Sequence, residues 1–228
     1  MMQAPLRPEV IEALQEFDSA TVSNAIEAFN VRDHTEGYAS MEVRCLFPEL
    51  PPMVGYAVTC IADSTTPGPR RPGRQIEFLD LVAAAPNPSI IVIQTVGPDP
   101  LRTCLGGDMI CLAYQRLGGA GLVIDGGIRD VRGIRRNAPG FQVFAPGVVV
   151  SHGTLVKLEV DVPVKIGGLD INPGDLLHGD ESGLVNVPLD IAQSVAEQAK
   201  LVREEEAEVV ELLHKPSLTI EEIKATFG

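Results

Sequence analysis

Residues 106–130, GGDMICLAYQRLGGAGLVIDGGIRD, decide how this chain is read. The stretch opens on a Gly106-Gly107-Asp108 turn, runs through a helical segment from Met109 to Leu117, crosses Gly118-Gly119-Ala120-Gly121, and becomes the apolar strand Leu122-Val123-Ile124. A second glycine turn then carries Arg129-Asp130. The polar residues of this turn, helix, strand and turn unit sit at its ends. In open α/β units those ends are where ligands collect, because free N–H groups and carbonyls converge there. The pattern predicts an α/β fold in which Asp108 and Arg129-Asp130 share one pocket.

Working outward, Ser89 to Gln94 (SIIVIQ) is an apolar strand bounded by Pro88 and Gly97, and it is expected beside the 122–124 strand. Met53 to Ala62 (MVGYAVTCIA) reads as a buried strand from its β-branched content. Near the start, Ile11, Leu14, Phe17, Val22, Ile26 and Phe29 have helical spacing interrupted at Asp18-Ser19. Two helices are expected there, with Asp18 or Ser19 capping the second. Asn24 and Glu27 then either face a site or fall on a solvated helix face, the second being the plainer reading. Ile76 to Ala85 is a short helix. Thr65 to Arg74 (TTPGPRRPGR) is a surface loop whose Arg70, Arg71 and Arg74 either attract an anionic substrate or belong to a mobile loop or subunit contact.

Beyond Asp130 the chain turns β-rich, through Phe141 to Phe144, Val148 to Val150, and Leu155 to Ile166. Leu176 to Val187 reads as two short strands about a tight turn. From Pro188 to Leu213 an apolar helical stripe carries an acidic outer face with Glu204, Glu205 and Glu206. No composition shift or long linker divides these pieces. Residues 1–228 are therefore expected to form one domain with a C-terminal helical segment, 189–228.

Composition narrows the function classes. With 18 Lys and Arg against 31 Asp and Glu, the net charge of −13 argues against nucleic acid as a partner, whose binding rests on neutralised phosphates. Small molecules or proteins are the expected partners. Cys45, Cys60, Cys104 and Cys111 lack zinc or C-x-x-C spacing and read as buried thiols, and His34, His152, His178 and His214 are scattered. The amino terminus has no apolar signal core and no run reaches membrane-spanning length, so a cytoplasmic protein without a membrane partner is expected. Signatures of P-loop enzymes, zincins and α/β-hydrolases are missing, and the glycines do not form a dinucleotide loop.

What remains is Asp108, Arg129 and Asp130. Each has a structural explanation alone: Asp108 and Asp130 could cap helices, and Arg129 could pair with either. Together, with glycines that let a ligand approach the backbone, they suit a hard divalent cation with oxygen ligands.

Asp108, twenty residues, then Arg129-Asp130 resembles the D-x20-R-D signature of metal-dependent pyruvate aldolases acting on 4-hydroxy-4-methyl-2-oxoglutarate and 4-carboxy-4-hydroxy-2-oxoadipate. These belong with the RraA-like family, named for the regulator of ribonuclease activity A. The resemblance extends from Ser19 to the 190s and includes Gly55-Tyr56-Ala57-Val58-Thr59, the GGD turn, IDGGIRD, and the segment from Pro173 to Pro188. It implies a single layered α-β-β-α, swivelling-domain-like fold, assembled as a homotrimer or a hexamer of two trimers with sites at subunit interfaces.

The resemblance also implies roles. Asp130 resembles the direct Mg²⁺ or Mn²⁺ ligand, Asp108 the residue holding a metal-bound water, and Arg129 the contact to the substrate's keto oxygen. Gly107 and the amides of Met109 and Ile110 are expected against the substrate carboxylate. Glu205, from a neighbouring subunit, is preferred over Glu204 and Glu206 to complete the water shell, and Lys157 is matched to a substrate-contacting lysine. The expected reaction is retro-aldol cleavage of a 4-hydroxy-2-oxo di- or tricarboxylic acid to pyruvate and a 2-oxo acid, with oxaloacetate decarboxylation through the same enolate. Schiff-base chemistry is not expected, because Lys157, Lys165, Lys200, Lys215 and Lys224 show no local sign of a desolvated amine. Two alternatives are a non-catalytic regulator of an RNA-degrading enzyme and a lyase or decarboxylase for another 2-oxo acid. A methyltransferase label also used for the family finds no glycine-rich methyl-donor loop here.

Overall fold

The computed structural model describes residues 5–69 and 71–227, so Arg70 lies outside the described residues. Helices α1 (Pro8–Gln15) and α2 (Ser19–Glu27) come first. Then follow β1 (Arg44–Cys45), β2 (Met53–Asp63), α3 (Gln75–Ala84), β3 (Ser89–Val96) and β4 (Cys104–Gly106). The central unit contains α4 (Asp108–Arg116), β5 (Gly119–Ile124), β6 (Gly127–Ile128) and α5 (Val131–Asn137). Six strands make the second half β-rich: β7 (Gln142–Ala145), β8 (Val156–Val160), β9 (Val164–Ile166), β10 (Leu169–Ile171), β11 (Leu176–Asp180) and β12 (Gly183–Val187). Helices α6 (Ala192–Leu213) and α7 (Ile220–Phe227) end the described chain.

The main sheet has the order β1-β7-β5-β3-β2-β11-β12, with β8 also on β2. The expected neighbours meet: β3 and β5 pair in parallel, with Ile91 opposite Leu122 and Ile93 opposite Ile124. Side chains alternate across the sheet as strand geometry requires. Val58, Cys60, Ile91, Ile93, Leu122 and Ile124 pack in one cluster with Phe78, Cys111, Tyr114 and Ile134 of α3, α4 and α5. Ala57, Ile90, Val92, Val123 and Phe144 face the other way, toward Leu177 and Leu184 and the β9–β10 hairpin. The sheet curls until its ends oppose each other, and a Cβ added at Gly179 of β11 would lie 2.8 Å from Cζ of Phe144 on β7. Helices α1, α2 and α6 cover Val54, Tyr56, Leu176, Val185 and Val187. The layers are thus helix, strand, strand, helix, in a single α/β domain.

Local chemistry fixes the joints. Asp18 caps α2 by accepting from the Thr21 N–H at 2.9 Å, an arrangement whose loss typically costs about 1 kcal/mol. Burial opposes charge on Asp18, but the Thr21 donors hold its carboxyl below the usual range. Ser19 instead enters a buried network: its N–H donates to Asp180 Oδ2 at 2.6 Å, and its hydroxyl meets His178 Nδ1 at 2.9 Å. His178 Nε2 lies 3.1 Å from the Leu14 carbonyl, so the imidazole joins β11 to the α1–α2 corner. Val148 to Val150 departs from the expected strand. Among the described residues a single bridge, Ile128 to Val148, ties it to a strand, and Val148 and Val150 are exposed.

Candidate active site

Strands β4 and β6 form a separate two-stranded parallel ladder with Gly106 opposite Ile128. The Arg129 N–H donates to the Gly106 carbonyl at 2.9 Å. This ladder brings Asp108, at the start of α4, beside Arg129-Asp130, at the start of α5. The twenty-residue spacing of the sequence is the length of one helix, one strand and one turn, and folding closes it into contact. Gly107 packs closely against the pair: a Cβ on it would stand 3.1 Å from Asp130 Oδ2 and 3.5 Å from Arg129 Nε.

Asp130 occupies the cap position of α5, yet its side chain makes no capping bond. Its backbone is left-handed, φ 58° and ψ 33°, a region in which a non-glycine residue is uncommon and Asp is among those that tolerate it. The backbone does the anchoring, since the Ile134 N–H donates to the Asp130 carbonyl at 2.8 Å. The carboxylate turns toward Arg129, with Nε 3.2 Å from Oδ2, and is about half exposed. It therefore keeps acceptor capacity for a ligand.

Asp108 is the first residue of α4, and Gly107 takes the cap position, so the expected cap shifts by one residue. The helix dipole favours a carboxylate at this end. Asp108 Oδ1 accepts from the Met109 N–H at 2.8 Å, and Oδ2 accepts from Asn137 Nδ2 at 2.9 Å. Gly133 makes room for it, as a Cβ there would sit 2.8 Å from Oδ2. Each Asp108 oxygen is thus held by a protein donor while Asp130 is comparatively free. The Met109 amide is already engaged by Asp108, which reduces what it offers to a substrate carboxylate.

Asp108, Arg129 and Asp130 line one cleft of about 640 Å³ with Arg132, Arg136 and the Val148–Val150 segment. A smaller recess over Gly107, Met109 and Ile110 adds His152 and Leu155 to the same three residues. Sequence reading missed Arg132, Arg136 and His152 as cleft residues, and Asn137 as the donor behind Asp108. The i, i+4 spacing of 132 to 136, and of 133 to 137, was the available signal, because each pair shares one face of a helix. Asp125, from the same IDGG turn, stays outside the cleft. Burial pushes its carboxyl up while its Oδ1 accepts from the Thr95 N–H at 2.6 Å.

Other candidates lie elsewhere. Arg71 pairs with Asp63 and Arg74 with Glu77, so neither is a free attractor of anions. Asp63 also accepts from the Thr65 and Thr66 N–H groups; burial opposes its charge, but these donors and Arg71 hold its carboxyl far below the ordinary value. Glu204, Glu205 and Glu206 are exposed on α6, which packs on α1 and α2, and Glu206 accepts from Asn24 at 3.1 Å. Within one chain none of the three lines the cleft.

Lys157 corrects the expectation that no lysine is desolvated. The register slips between Ile61 and Ala62 where β2 pairs β8, and the adjacent Val156 and Lys157 are both buried. Such bulges re-aim side chains. The Lys157 ammonium sits 3.7 Å from Cys60 Sγ and 4.6 Å from the Phe78 ring centre, and it lines a neighbouring cleft with Leu79 and Tyr114. All four cysteines are free thiols, Cys60, Cys104 and Cys111 buried as expected and Cys45 only partly so, and burial pushes the Cys111 thiol up to about 12.

Among the described residues no group of three His, Cys, Asp or Glu side chains is placed to hold a metal. Two carboxylates on one cleft nevertheless fit Mg²⁺ or Mn²⁺, because Mg²⁺ is commonly held by one or two carboxylates and keeps several waters. Asp130, half-exposed and paired only with Arg129 among the described residues, fits direct contact. Asp108, with both oxygens already accepting, fits contact through water.

Residues 19–186 match the family model described as RraA-like, Aldolase/RraA. The chain belongs to the RraA-like family. Among RraA-like relatives, a Halalkalibacterium halodurans protein provisionally named 4-hydroxy-4-methyl-2-oxoglutarate aldolase is 33% identical over 129 residues, 56% of this chain and 60% of the relative. The 4-hydroxy-4-methyl-2-oxoglutarate aldolase of Thermus thermophilus is 39% identical over 95 residues, 40% of this chain and 56% of the relative. The matches thus span little more than half the length of these relatives. A solved structure of Streptomyces coelicolor RraAS2, described as an unusual member of the RNase ES inhibitor RraA family, superposes with a TM-score of 0.69 at 25% identity, covering 92% of this chain and 98% of that one. The RraA-like family therefore includes both proteins named as aldolases and proteins named as ribonuclease inhibitors.

Proposed function

We propose that this RraA-like protein is a divalent-metal-dependent lyase that cleaves a 4-hydroxy-2-oxo di- or tricarboxylic acid to pyruvate and a second 2-oxo acid. The observation that carries this reading is the convergence of Asp108, Arg129 and Asp130 on one cleft, with the Asp130 carboxylate left uncommitted by its helix. A purely structural Asp at a helix start would spend its carboxylate on the first-turn amides.

Asp130 would hold Mg²⁺ or Mn²⁺ directly and Asp108 through a water. When bound, the cation supplies Lewis-acid stabilisation for the negative charge that gathers on the 2-oxo oxygen. Arg129, held beside Asp130, donates to that same oxygen. In the cleavage the C4 hydroxyl loses its proton, the C3–C4 bond breaks, and its electron pair moves into the enolate of pyruvate while C4 becomes a carbonyl. A proton delivered to C3 completes pyruvate. Donors aimed at a developing oxyanion commonly supply the largest catalytic contribution. Oxaloacetate loses CO2 through the same enolate, so its decarboxylation accompanies the aldol reaction. A trimer or hexamer in which Glu205 of a neighbouring copy completes the water shell belongs to the same proposal.

The direct test is pyruvate release from 4-carboxy-4-hydroxy-2-oxoadipate and from oxaloacetate. Activity that EDTA removes and Mg²⁺ or Mn²⁺ restores is expected. No pyruvate from either substrate would leave the ribonuclease-regulator reading in its place.

A further inference from the structure

The cleft holds more positive charge than the D-x20-R-D set explains. Arg132 and Arg136 stand one helical turn apart on α5 and line the same wall as Arg129. Arg135, between them in sequence, is spent elsewhere: its Nε bonds Glu49 at 2.9 Å and its guanidinium stacks 4.7 Å over Phe47. Among the described residues Arg132 has no acidic side chain within ion-pair distance. Arg136 only donates to its neighbour, Asn137 Oδ1, at 3.2 Å.

In a chain carrying a net charge of −13, carboxylates are plentiful, and Arg71, Arg74, Arg102 and Arg135 each have one. Two guanidiniums beside a pair of aspartates, facing the exposed valines 148 and 150, form a wall with spare donors on one side and apolar surface on the other. The volume of about 640 Å³ also far exceeds what a three-carbon 2-oxo acid fills. The head of such an acid would take Asp130 and Arg129, leaving the rest of the cleft to its tail.

We propose that Arg132 and Arg136 are the specificity residues of this site and bind the distal carboxylates on the far side of the scissile bond. This inference rests on the retro-aldol reading and deepens it. The acidity of the departing half, already contained in that reading, is then recognised by these two side chains. The planar guanidinium fork suits carboxylates held in two-point contact.

Calorimetric binding in Mg²⁺ separates this inference from the reading beneath it, using 2-oxoglutarate and 2-oxopentanoate. The two acids share the 2-oxo acid head and differ in a distal carboxylate against a methyl group. The parent protein is expected to prefer 2-oxoglutarate by about tenfold, the sum of two solvent-exposed charge pairs. In the Arg132→Gln, Arg136→Gln double variant that preference should vanish, while the double lysine variant keeps part of it. A preference that survives in the glutamine variant, or no preference in the parent, would overturn the assignment. Failure of both acids to bind the parent would overturn the 2-oxo acid reading itself, and this inference with it.

Discussion

The side-chain amide of Asn137 donates to Asp108 Oδ2 at 2.9 Å, tying the end of α5 to the start of α4. The same Asn137 accepts from Arg136 through its carbonyl, so one side chain links the arginine wall to the aspartate. With Met109 holding the other oxygen, Asp108 has a fixed orientation before any ligand arrives.

Asn137→Ala is therefore expected to lower kcat about tenfold, the scale of a hydrogen bond to a charged group, with a smaller effect on KM. Pyruvate-release kinetics beside a thermal melt would check this. A kcat equal to the parent's would show that Asp108 needs no such positioning.

Arg129→Lys keeps the charge but exchanges a planar fork for a compact ammonium. Loss of such an oxyanion contact typically costs on the order of 10²–10³ in kcat. Aldol cleavage and oxaloacetate decarboxylation should fall together, because one enolate serves both. Decarboxylation left untouched while aldol cleavage collapses would refute the shared intermediate.

His178 gives the fold a pH dependence. Its burial between Ser19 and Leu14 lowers its pKa below the ordinary 6.5. The unfolded chain thus binds a proton that the folded one resists, so stability rises with pH in this window. This contribution is fully present above about pH 6.5 and is lost as the pH falls toward the folded pKa. Melting temperatures between pH 8 and 5 should drop more steeply for the parent than for His178→Gln. Parallel slopes would show that another group carries the dependence.

The helix, strand and turn skeleton was legible in the sequence because its periodicities and glycine punctuation are local. So was the convergence of Asp108 with Arg129-Asp130, which needed only a strand on either side of one helix. The rest depended on tertiary placement. Lys157, matched to a substrate-contacting lysine, showed no local sign of desolvation, because its burial beside Cys60 accompanies a slip between Ile61 and Ala62 on another strand. Arg71 looked free because its partner, Asp63, ends a strand and is held by Thr65 and Thr66 as well. Val148 to Val150 has strand-like composition, yet lines the cleft as an exposed segment. His152 comes to the site from a loop whose path no periodicity announces.

The central claim is that the Asp130 carboxylate, left free by its helix, makes this cleft a metal-dependent lyase site. Asp130→Asn tests it most directly, because Asn tolerates the left-handed backbone that Ala would strain, and only the charge is lost. At saturating Mg²⁺, pyruvate release from 4-carboxy-4-hydroxy-2-oxoadipate is expected in the parent and absent in the variant, with the melting temperature little changed. Parent-like turnover in Asp130→Asn would contradict the account.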